Sequence, residues 1–119
     1  MMDIQKTIAV LFHSRELAHR AHLNTSSYSK HVALNVFYDE IVELADKLAE
    51  AWMGRNGKKI GDIPILQTME KDPLKAIKGH LEILEEGRDF LGKDTALQNI
   101  MDEIVALYLS TMYKLKELE

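Results

Sequence analysis

Residues 22–50 read HLNTSSYSKHVALNVFYDEIVELADKLAE. Leu34, Phe37, Ile41, Leu44 and Leu48, with Ala51 just beyond, follow one another at steps of three and four residues. That is the heptad rhythm of a helix packed in a bundle. The polar run NTSSYS ahead of it has the composition of a turn, with Ser27 or Ser29 available to cap the helix that follows. The spacing predicts a long helix ending near Met53, with Gly54 as its C-terminal residue.

Three more helices can be read outward from this one. The first runs from an Asp3 cap to about His22. Its apolar stripe is Ile4, Ile8, Leu11 and Phe12, continued by Arg15, Ala18 and His22. Asp72-Pro73 is a start signal for a third helix, which carries Leu74, Ile77, Leu81, Leu84 and Leu91 and is expected to end near Gly92. Asp94 caps a fourth, which carries Leu97, Ile100, Met101, Ile104, Leu107, Tyr108, Leu115 and Leu118. Residues 55–72, RNGKKIGDIPILQTMEKD, form the long connection between the second and third helices. Extended, that segment reaches about 60 Å, against a helix of roughly 37 Å. It can therefore run back along the bundle. The expected fold is all-α: a single domain, residues 1–119, folded as two helical hairpins joined by one long crossover, the ferritin-like four-helix arrangement.

Composition narrows the chemistry. The chain has 119 residues, 46% of them apolar and 29% charged, in the range of one globular core. There is no cysteine, so disulfides, thiolate zinc sites and cysteine nucleophiles are excluded. Any metal must be held by nitrogen and oxygen. A net charge of −4 argues against general nucleic-acid binding. No apolar run has the length of a membrane span and no signal peptide is visible, so the expectation is a soluble, cytoplasmic protein. Gly-rich phosphate loops and nucleophile elbows are absent.

Four residues form the candidate metal set: His22, His31, Asp46 and Glu50. Asp46 and Glu50 stand one turn apart on the second helix, on the face turned away from its apolar stripe. Taken alone, the two carboxylates read as a solvated face. The same outward face also carries Val32, Val36, Val42 and Met53, interleaved with polar residues, which suggests a second packing surface and an oligomer. Buried by a partner, the two carboxylates need a cation. His22 ends the first helix and His31 opens the second. Either can be an ordinary hydrogen-bonded histidine, whereas together with two carboxylates they suit Fe(II), Mn(II) or Zn(II). His13 and His80 read as surface residues.

Three stretches carry a family resemblance. AHLN at 21–24, HVALNVFYDEIVELADKLAE at 31–50 and DTALQNIMDEIVAL at 94–107 resemble the first, second and last helices of the Dps-like branch of the ferritin superfamily, in particular small Dps-like proteins of bacteriophage genomes. The resemblance implies an iron-oxidising site shared by two subunits. His22 and His31 would come from one subunit and Asp46 and Glu50 from the other, with Fe as the ion, or else Zn or Mn. The chain departs from the family in having Leu23 where a tryptophan follows the first histidine. It also lacks a clear short helix within 55–72 and a lysine-rich tail. These departures point to a dimer or larger homo-oligomer without DNA protection.

The competing expectation is a metal-free helical bundle that binds another protein, for instance a phage protein that binds a host factor. Trp52 and Met53, beside the GRNGKK loop, would then form its contact surface.

Overall fold

A computed structural model describes residues 1–68 and 70–118. Its order is α1 (Ile4–Asn24), α2 (Tyr28–Asn56), α3 (Pro73–Gly87), a 3-10 turn (Arg88–Leu91) and α4 (Thr95–Glu117). Among the described residues there is no strand, and no helix is long and apolar enough to cross a membrane.

Each helix starts where the sequence supplies an acceptor for its first free N–H groups. Asp3, Ser27, Asp72 and Asp94 accept from the backbone N–H of Lys6, Lys30, Lys75 and Leu97. Two ends differ from the expectation. The α2 helix passes through Gly54 and stops at Gly57, whose φ of 64° is the left-handed conformation that closes a helix. The α3 helix stops at Gly87 and tightens into the 3-10 turn. There Arg88 turns aside to donate to Gln98 Oε1 (2.8 Å), the Gln98 carbonyl (3.0 Å) and Asp102 Oδ1 (2.7 Å). That side-chain lock joins the ends of the second hairpin.

Helix neighbours are α1 with α2, α2 with α4, α4 with α3, and α3 with α1. Side-chain pairs fix their directions. Arg55 meets Asp94 and Lys47 meets Glu103, so α2 and α4 are antiparallel. Ser14 meets His80 while Gly87 abuts Met2, so α1 and α3 are antiparallel. The helices thus run up, down, down, up. The second downward helix requires the connection to climb the full bundle, and it does so along α1. Gln5 Nε2 donates to the Ile60 carbonyl at 2.6 Å. Residues 63–68 then lie beside Ala9–Arg20, and Lys71 and Pro73 reach Leu17–Asn24. Between Gly61 and Gln67 no backbone group hydrogen-bonds to another backbone group among the described residues.

One apolar core joins all four helices. Leu34, Phe37, Ile41 and Leu48 of α2 are fully covered, as are Met101, Ile104 and Tyr108 of α4. The α1 stripe differs from its prediction. Ile4, Ile8, Leu11 and Ala18 are buried, Phe12 is exposed, and the position between Leu11 and Ala18 is taken by Ser14 rather than Arg15. Leu118, expected in the core, is exposed.

Candidate metal centre

The five histidines fall into two groups. His19, His22 and His31 gather at the α1–α2 turn. His13 and His80 face each other between α1 and α3.

The first group contains the two predicted histidines. Capping by Ser27 leaves only three residues, Thr25–Ser27, between α1 and α2, so His22 and His31 close against each other. Their rings are stacked, with centroids 3.7 Å apart and planes 23° apart. His22 Nδ1 lies 2.7 Å from the His31 carbonyl, and His31 Nδ1 lies 3.0 Å from the His22 carbonyl. A carbonyl only accepts, so both Nδ1 atoms carry the proton and donate. In the neutral rings both Nε2 atoms are then lone-pair donors. Metal-binding histidines are commonly oriented in this way, with the second ring N–H fixed on a backbone carbonyl. Because the rings are nearly parallel, the two lone pairs leave the stack in separate planes. Two ions, or one ion with the rings splayed apart, fit that arrangement.

Sequence reasoning missed two members of this cluster. His19 stacks on Tyr38 at 4.3 Å, and Tyr38 meets the edge of His22 at 5.3 Å. His19 is one turn before His22, and Tyr38 two turns after His31, so helical spacing carried the signal.

Asp46 and Glu50 are exposed on α2, as expected, and form no ion pair or side-chain hydrogen bond among the described residues. They do not reach the histidines of their own chain. Fifteen residues separate His31 from Asp46, about 22 Å of helix. Among the described residues no group of three or more potential ligand side chains converges. Glu50 shares a shallow hollow with Lys58 and Lys59, and Lys58 Nζ lies 5.7 Å from the Trp52 ring centroid.

The second group overturns the surface reading of His80. Tyr108 O–H donates to Ser14 Oγ at 2.6 Å, and Ser14 Oγ lies 2.6 Å from His80 Nδ1. Tyr108 and Ser14 are completely buried. Burial, aided by the neighbouring His13, pulls the His80 imidazole down to about 4, so it is neutral at pH 7. Burial pushes the Tyr108 phenol up, against the pull of its Ser14 hydrogen bond. His13 is lowered by burial, with Glu16 opposing.

Comparison with known proteins gives a family without a described activity. A protein of Enterobacteria phage T4, described as an uncharacterized 14.6 kDa protein in the mobD-ri intergenic region, is 28% identical over 109 residues, 91% of this chain and 84% of its own length. No solved structure matches. The family model of DUF5856, a family of unknown function, spans residues 22–115, from the first stacked histidine through nearly all of α4, and the chain belongs to that family.

Proposed function

We propose that the protein is a ferritin-like bundle that pairs with a second copy through the outer face of α2 and binds transition-metal ions in the joint. The observation that carries this reading is the reciprocal bonding of His22 and His31, which leaves two Nε2 lone pairs with their tautomers fixed. The up-down-down-up order with a connection climbing α1 supports the ferritin-like assignment. Two α2 helices packed antiparallel about an axis near Asp39 would bring His31 of each copy to Asp46 and Glu50 of the other. Val36 and Val42, half-buried on that face, supply apolar contact. Two imidazoles with two carboxylates suit Fe(II), Zn(II) or Mn(II). Bound Fe(II) would supply electrons for reduction of peroxide or oxygen. The chain's own residues fix the imidazole tautomers and offer the carboxylate charge.

The test is metal content by mass spectrometry and molar mass by light scattering on untagged protein. Expected are a dimer or larger assembly and bound metal that both Asp46→Asn and His31→Ala remove while far-UV dichroism is unchanged. A metal-free protein that ignores added Fe(II) sinks the reading. That outcome turns the search to the second reading, a metal-free bundle that binds another protein.

A further inference from the structure

The groove along α1 and the connection, the exposed side of α4 and the His13–His80 pair all lie outside the α2 joint. Of these, only the histidine pair has geometry that specifies a ligand. We propose that His13 and His80 form a second metal site, a two-imidazole clamp that joins α1 to α3 and takes one divalent ion of the zinc or copper class.

The ring centroids are 5.3 Å apart and the planes are tilted by 48°. Two imidazoles on one tetrahedral ion, at metal–nitrogen distances of about 2.0–2.1 Å, place their centroids roughly 5 Å apart. The tight, near-parallel stack of His22 and His31 lacks this spacing; the His13–His80 pair has it. His13 Nε2 is a buried side-chain atom with no hydrogen-bond partner among the described residues. Such an atom is costly to leave unpaired, and a metal ion would satisfy it.

His80 is anchored through one ring nitrogen. Its Nδ1 faces Ser14 Oγ, an oxygen that can accept from both Tyr108 and His80. Ser14 Oγ also has its own proton to place, so Nε2 is a free lone pair in the tautomer in which Nδ1–H donates to Ser14 and the Ser14 hydroxyl turns to a carbonyl of its own helix. The Ser14–Tyr108 contact then serves as the outer support that holds a metal-binding imidazole in position. Glu16, one turn along α1 from His13, places a negative charge close by. His13 and Glu16 both line the groove between α1 and residues 63–68, which gives an ion a way in. No third side chain closes on the pair among the described residues, so water completes the coordination.

The test uses the full chain carrying His22→Ala and His31→Ala, which silences the other histidine pair and makes the result independent of the α2 joint. Zn(II) is titrated calorimetrically into metal-free protein, and thermal melts are recorded with and without the ion. Expected are one Zn(II) per chain, a rise in Tm with zinc, and an affinity loss of tenfold or more on adding His13→Ala. His13 is partly exposed, so that change spares the core. His80→Gln provides a second variant, and Co(II) absorption a second readout. No zinc uptake in the His22→Ala, His31→Ala background, or an affinity that His13→Ala leaves within twofold, overturns the proposal.

Discussion

Ser14 occupies a place on α1 where an apolar side chain would otherwise close the stripe between Leu11 and Ala18. It is tolerated because Tyr108 and His80 reach it from positions 94 and 66 residues away in the chain. No local pattern encodes such partners, which is why the sequence pointed to Arg15 and left His80 on the surface. The network sets an order among variants. Tyr108→Phe deletes a donor and should cost about 1 kcal/mol in urea unfolding. Ser14→Ala strands a buried phenol and should cost more, about 1–3 kcal/mol. Wild-type stability in both variants would mean that the Tyr108–Ser14 contact contributes nothing. The sign of the pH dependence follows from His80. Its folded value of about 4 lies below the ordinary 6.5, so the unfolded chain binds the proton more readily. Stability from this group is complete above pH 6.5 and is lost as pH falls toward 4. Denaturant melts between pH 7 and 4 should show that slope flattened in His80→Gln.

Glycine position separates helix interior from helix end. The sequence reading stopped α2 at Gly54 because glycine often closes helices; the chain closes at the next glycine, Gly57. The reason is backbone geometry, since of these two glycines it is Gly57 that has the left-handed φ. A Cβ on Gly54 meets nothing within 4 Å. Gly54→Ala should therefore stabilise the protein by about 0.5–1 kcal/mol, the usual helix-interior difference. Gly57→Ala, forced into a positive φ, should destabilise it by about 1 kcal/mol. Thermal melts of the two variants should move in opposite directions. Starts were more legible than stops. All four caps lay among the residues read from the sequence, because a side-chain acceptor is local. The end of α3 was not legible, because it depends on Arg88 reaching Gln98 and Asp102 on another helix.

The bundle was legible as a whole because two physical facts sufficed: heptad stripes and a connection too long for a hairpin. The His22–His31 stack follows from the short turn, which sets the end of α1 against the start of α2, although the sequence joined the two residues only through the family resemblance. What lies opposite Asp46 and Glu50 was not legible, because one chain does not contain it. If α2 faces α2 in a dimer, Val42→Arg places two like charges in the joint. The expected result is a monomer by light scattering with helical content and melting cooperativity preserved. An unchanged mass would move the contact to another face.

The connection along α1 has one further consequence. Its stretch from Gly61 to Gln67 contributes no backbone hydrogen bonds to the fold among the described residues, and most of it is exposed. Such a segment is a preferred place for a protease to cut. A single nick there would divide the chain into two helical hairpins, and the core between them would remain. The two fragments should co-elute after cleavage and, prepared separately, should reconstitute one another on mixing. The bundle would then behave as a split protein, with its seam along α1.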